Sequence, residues 1–112
     1  MPDNHIKHSF NSALVAAHAE WSNETFGTPD VKGPIGPLKH LSKEALEAAE
    51  NPSDLSEFAD MAFLFLEGMR RAGHSFEDLN DAMWLKLSVL KARDYKTNQT
   101  GDPDEAVQHH EA

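Results

Sequence analysis

The chain has 112 residues, enough for one ordinary domain with a modest core and too few for two. Its formal charge of −9 argues against a nucleic-acid partner, since binding a polyanion depends on a basic surface. No apolar run is long enough to span a membrane, so we expect no membrane association. The absence of cysteine and of a signal-peptide pattern at the N-terminus favours the cytoplasm.

The first predicted helix covers roughly residues 8–23, where apolar side chains recur at helical spacing from Phe10 to Trp21. The segment 26–37 follows, and its three glycines and three prolines predict an irregular, shaped loop. No segment of the chain alternates between apolar and polar residues as a half-buried strand does.

Three more helices are predicted after this loop. The second runs from Pro37 to about residue 50, and the third runs from the capping residue Asp54 to Gly73. The fourth begins at Ser75 and fades near residue 95. The sequence therefore predicts an all-α fold with one domain, 1–96, followed by a flexible acidic tail, 97–112.

The third predicted helix is apolar on nearly all sides, yet it carries Asp60 in its middle, three residues after Glu57. Residues at this spacing share one helix face. Since an ionised carboxylate buried without a partner is strongly unfavourable, we expect Asp60 to be buried and compensated by a metal ion. Taken alone, Glu57 could equally be a helix cap.

The second predicted helix carries Glu44 and Glu47 at the same spacing. Alone, such a pair is typical of a solvated helix face. Two such pairs on consecutive helices can instead bind one or two hard cations, and Mg²⁺ or Mn²⁺ suits an all-carboxylate site better than Zn²⁺ does. The sequence has no Glu-x-x-His, which argues against a di-iron carboxylate protein.

Basic residues of the fourth helix and its end, Lys86, Lys91 and Arg93, form either a phosphate-binding face or an ordinary solvated edge. A non-catalytic acidic helical interaction module is the alternative from another functional class. It would explain the charge, but it would be indifferent to Mg²⁺, and it gives no reason for Asp60 within an apolar helix.

The two carboxylate pairs resemble the metal-binding signature of the MazG-like, all-α nucleoside triphosphate pyrophosphohydrolases. The run Gly-Pro-Ile-Gly-Pro-Leu-Lys-His-Leu at 33–41 resembles more narrowly the small, often phage-encoded dATP/dGTP diphosphohydrolase branch. The likeness extends from about Trp21 to Tyr95. Departures are Lys43, where many members have an acid, and Leu90, where an Asn is common.

The resemblance implies hydrolysis of a purine nucleoside triphosphate (dGTP, GTP or dATP) to the monophosphate and pyrophosphate, in the host cytoplasm if the protein is phage-encoded. It assigns the Mg²⁺ ligands to Glu44, Glu47, Glu57 and Asp60, and Glu44 or Glu47 is the candidate general base. Candidate phosphate contacts are Lys43, Lys86, Lys91 and Arg93. Candidate base contacts are Trp21, Phe26 and Ile35, although Trp21 could equally be a core residue.

The predicted bundle leaves the apolar surface of the third helix hard to cover within one chain of this size. Helices of a second subunit would cover it, so we expect a homodimer or a dimer of dimers.

Overall fold

A computed structural model of the chain describes residues 12–95, 104 and 109–110. These described residues form four helices: α1 (Ser12–Phe26), α2 (Ile35–Glu50), α3 (Leu55–Arg71) and α4 (Phe76–Ala92). Two two-residue strands, β1 (Asp94–Tyr95) and β2 (His109–His110), pair antiparallel with Asp94 opposite His110. The predicted helices and all-α class are confirmed, and the short pairing is an addition that the sequence did not predict.

Parts of the sequence predictions fall outside the described residues. These are the start of the first helix near residue 8 and most of the acidic tail, 97–112. The division into a domain, 1–96, and a tail therefore stays a prediction. Among the described helices, none is both long enough and apolar enough to cross a membrane.

The helix ends follow local hydrogen-bonding rules. The Asp54 carboxylate accepts a hydrogen bond from the Ser56 backbone N–H at 3.0 Å, which caps the start of α3. Beyond the end of α3, Gly73 adopts a φ of +99°, a left-handed conformation that glycine takes without strain. The Ser75 hydroxyl then accepts from the Asp78 N–H at 3.0 Å and caps α4.

The backbone divides into two compact units, one ending at Asp78 and one beginning at Leu79. In the first unit α2 packs on α3, with Ala48 and Leu66 buried. Gly68 permits the close approach of α2, because a Cβ at this position would lie 2.7 Å from Leu38 Cδ2. Helix α4, most of which belongs to the second unit, has no buried residue.

Glu67 of α3 is buried and forms the polar centre of the first unit. Its Oε1 accepts from Arg70 Nη2 at 2.8 Å, and its Oε2 accepts from Arg71 Nε at 2.9 Å. The hydroxyl of Ser22, a fully buried residue of α1, also donates to Oε2. Arg70 Nη1 in turn donates to the Asn23 side-chain carbonyl at 2.8 Å, so this network joins α1 to α3.

Arg71 extends the network to the irregular loop. Its Nη1 donates to the carbonyl of Lys32 and its Nη2 to the carbonyl of Gly27, both at 2.9 Å. These carbonyls lie in a segment that has no regular hydrogen-bond ladder of its own. Arg71 therefore joins the loop to α3 at two points.

The ion pairs set the ionisation of Glu67. Burial alone would raise the pKa of its carboxyl, but the hydrogen bonds from Ser22, Arg70 and Arg71 outweigh this effect and lower it below the ordinary value. The folded state thus favours the charged carboxylate. Glu67 is therefore a salt-bridge partner of both arginines and not a solvated residue of the helix surface.

We expect Glu67→Gln to lower the free energy of unfolding by about 3 kcal/mol, because it leaves the buried charge of Arg71 without its counterion. Urea denaturation measures this. The control is Glu50→Gln, at the exposed end of α2, which should change stability by less than about 0.5 kcal/mol.

The ion pair between Glu67 and Arg71 should also make the stability of the protein depend on pH in a defined direction. Because the pKa of Glu67 is lowered in the folded state, its stabilisation is present above the ordinary value of 4.5 and is lost as the pH falls through the folded pKa. The stability difference between wild type and Glu67→Gln should therefore shrink on acidification. A difference that stays constant into that acidic range would contradict the assignment.

Candidate metal centre and the adjacent cavity

Three carboxylates from two helices converge in the first unit. Glu44 of α2 and Glu57 and Asp60 of α3 each present an oxygen, and these oxygens lie within 4.8 Å of one another. The packing of α2 on α3 brings them together, and the three-residue spacing of Glu57 and Asp60 puts both on the face toward Glu44. Such an oxygen donor set suits a hard divalent cation.

Glu47, the fourth predicted ligand, lies beside this set but is not one of the three. The two carboxyl groups lie close enough to influence each other's ionisation. Their interaction lowers the pKa of Glu44, whereas the same interaction and the negative charge of Glu44 raise the pKa of Glu47. When two carboxyl groups lie this close, repulsion between their negative charges favours the state in which one of them keeps its proton.

Negative charges also act on Glu57. Partial desolvation raises the pKa of its carboxyl, and the neighbouring carboxylates of Glu44, Asp54 and Asp60 raise it further. A bound cation would relieve this repulsion. The two arginines of α3 do not provide this relief, because both form their ion pairs with Glu67.

The expectation that Asp60 is buried is wrong. Asp60 is exposed in the chain, and the buried acid of α3 is Glu67, one heptad further on. The same physics applies to Glu67, which is compensated as expected, but by arginines in place of a metal ion. Support for a metal site at Asp60 therefore comes from the convergence of carboxylates and not from burial.

A cavity of about 700 Å³ adjoins the carboxylates and is bounded by α1, α2 and α3. Glu44 and Asp60 line it, as do the predicted base contacts Trp21 and Phe26. Ile35, the third predicted base contact, is 61% exposed and is not among the lining residues.

Several lining residues were missed by the sequence analysis, namely His18, His40, Phe63 and Leu64. His18 follows Leu14 by four residues and precedes Trp21 by three, so helical spacing alone could have found it. His40 Nε2 lies 3.1 Å from Glu44 Oε1, again at a spacing of four. Phe63 lies on α3, where apolar residues are too frequent for spacing to single one out.

The predicted phosphate contacts are distributed over both units. Lys43 is exposed on α2, and its positive charge contributes to the lowered pKa of Glu44. Lys86 and Lys91 are exposed on α4, and Arg93 follows that helix. Because these three belong to the second unit, their role in phosphate binding stays a prediction.

Comparison with known proteins identifies the family. The family model for dATP/dGTP pyrophosphohydrolases matches residues 14–112. The chain belongs to this family. It is also 56% identical over 86 residues to the Eaa protein of Salmonella phage P22, a match that covers 77% of this chain. The match covers 26% of Eaa, so the chain spans about a quarter of that relative's length. No solved structure matches the chain.

We expect Glu57→Gln and Asp60→Asn each to weaken Mn²⁺ binding about tenfold or more, because each removes one charged oxygen donor. Isothermal titration with Mn²⁺ alone measures this without any substrate. The matched control is Glu50→Gln, which removes an exposed charge of α2 outside the cluster. Equal affinity in all four proteins would contradict a metal site at these carboxylates.

Proposed function

We propose that the chain is a Mg²⁺-dependent pyrophosphohydrolase that converts dATP or dGTP to the nucleoside monophosphate and pyrophosphate. The main support is that one cavity is lined both by carboxylates of the metal-capable set and by aromatic side chains. The carboxylates can hold the cation of a metal–triphosphate, and the aromatic side chains can contact a nucleobase. Membership in the dATP/dGTP pyrophosphohydrolase family supports this activity.

The donor chemistry fits Mg²⁺ or Mn²⁺. Glu44, Glu57 and Asp60 would hold the cation, since three carboxylate oxygens without a thiolate or imidazole match the preference of a hard metal. The cation would supply charge neutralisation on the triphosphate and a more acidic bound water. The formal charge of −9 is then no obstacle to an anionic substrate.

Glu47 is the candidate general base. It lies next to the metal-capable carboxylates, in contact with Glu44, and is not itself one of the three. A carboxylate in this position can accept a proton from a water molecule that attacks the phosphoanhydride. Glu44 is the alternative base, but its place in the metal-capable set makes a ligand role the simpler assignment.

Basic side chains complete the proposal. Lys43, Lys86, Lys91 and Arg93 are candidates to stabilise charge on the pyrophosphate leaving group. Lys43 is the one whose surroundings support this directly, because its charge already acts on Glu44. We also propose that the protein works in the cytoplasm of an infected host, in keeping with its similarity to a phage protein.

The test is pyrophosphate release from dATP, dGTP, dCTP and dTTP, with Mg²⁺ and with excess EDTA. We expect Mg²⁺-dependent release with the purine nucleotides preferred. Asp60→Asn should lower kcat by roughly a hundredfold or more. Loss of a metal ligand should reduce activity at least as much as loss of a residue that only orients a ligand.

Glu50→Gln serves again as the control and should retain wild-type turnover. Wild-type activity in Asp60→Asn would contradict the metal site. If no nucleotide is hydrolysed, and if the protein binds a partner equally well with and without Mg²⁺, the acidic interaction module would be favoured instead.

We propose further that the chain forms a homodimer or a dimer of dimers, in a MazG-like arrangement. Large apolar side chains are exposed in the single chain, among them Leu55 of α3, at 79%, and Trp84 and Leu85 of α4, at 67% and 70%. Exposed apolar residues in this number are typical of a surface that another subunit covers.

Light scattering should give two or four times the chain mass of 12.4 kDa. Leu85→Glu should shift the population toward the monomer, because it places a charge in the apolar surface of α4. The control Asp81→Asn, an exposed polar position of the same helix, should leave the mass unchanged. A wild-type monomer at micromolar concentration would contradict the proposal.

A further inference from the structure

His18 of α1 provides a polar ring at the aromatic part of the cavity. Its ring centroid lies 4.7 Å from that of Phe63 and 5.9 Å from that of Trp21. All three residues line the cavity, together with Phe26, whose ring meets that of Trp21 edge-on. Phe26 and Phe63 offer only carbon surface. His40, which also lines the cavity, already contacts Glu44, so His18 and the indole N–H of Trp21 are the ring donors at the aromatic part.

The surroundings of His18 favour the neutral form of its imidazole. Partial burial lowers its pKa, the carboxylate of Glu67 opposes this, and the positive charges of Arg70 and Arg71 lower the pKa further. A neutral imidazole offers one N–H donor and one acceptor nitrogen.

Adenine and guanine share few hydrogen-bonding groups. At position 6 adenine has an amino donor and guanine a carbonyl acceptor, whereas N7 is an acceptor in both bases and is absent from pyrimidines. N7 and N3 are the ring acceptors that both purines share, and N7 is the one without a counterpart in pyrimidines. An N–H donor aimed at N7 would therefore serve both purines, which matches a family described by dATP and dGTP.

The ring geometry suits such a contact. A hydrogen bond from the imidazole edge to N7 is best when the base lies near the imidazole plane. The rings of Phe63 and Trp21 are tilted by only 32° and 34° from that plane. A base in the imidazole plane would meet both rings at these same tilts, which are closer to a stacked contact than to an edge-on one.

We propose that the N–H of His18 donates a hydrogen bond to N7 of the purine base and so selects purine over pyrimidine nucleotides. This inference rests on the proposed function. It makes His18 a specificity-determining residue, distinct from the carboxylates that hold the metal.

Turnover of dATP and dGTP compared with their 7-deaza analogues tests the contact, because these analogues replace N7 by C–H. In the wild type we expect kcat/KM to fall about tenfold for each analogue, the effect of one lost hydrogen bond. In His18→Phe, which keeps an aromatic ring but has no donor, parent and analogue should be turned over equally. His18→Gln keeps an N–H donor and should retain much of the difference.

Trp21→Phe is the matched control, since it removes the indole N–H but keeps an aromatic ring beside His18. It should lower turnover of parent and analogue by the same factor, so the tenfold difference persists. A wild-type enzyme that does not distinguish 7-deaza nucleotides, or a His18→Phe enzyme that still does, would overturn the role of His18 alone. A wild type that hydrolyses none of the four parent nucleotides would overturn the proposed function and this contact with it.

Discussion

The buried carboxylate of Glu67 is the constraint on which the arrangement of the first unit depends. A charge taken out of water needs compensation, and Arg71 provides it from one turn away on the same helix. Since the guanidinium has further donors, Arg71 also bonds the hydroxyl of Ser22 and the carbonyls of Gly27 and Lys32. One ion pair therefore joins α1, α3 and the irregular loop, and loss of either partner leaves the other charge buried.

This arrangement separates two kinds of acid on the same helix. Glu67 is neutralised by arginines and held in the charged form, so it serves the structure. Glu57 and Asp60, nearer the start of α3, face Glu44 of α2 instead, and the arginines of α3 pair elsewhere. The negative charge gathered at these three carboxylates is available to a cation, and it adjoins the cavity that Trp21 and its aromatic neighbours line.

The prediction of a buried, compensated acid on α3 was right in its physics and wrong in its residue. Asp60 and Glu67 lie seven residues apart, two helical turns along a similar face, so periodicity cannot say which of them is covered. Coverage depends on where α1 crosses α3. Ser22 and Asn23 of α1 reach Glu67 and Arg70, near the end of α3, and Asp60 is left exposed.

The sequence by itself determined the four helices, their caps and the spacing of the carboxylate pairs, because these features depend on residues within about one turn of each other. The motif at 33–41 indicated the family, because a run of specific residues can be recognised in the sequence without knowledge of any tertiary contact. Only the tertiary structure decided that Glu44 meets Glu57 and Asp60 while Glu47 lies beside them. It alone brought His18 against Phe63, since contacts between residues this far apart arise from helix packing, which local spacing does not encode.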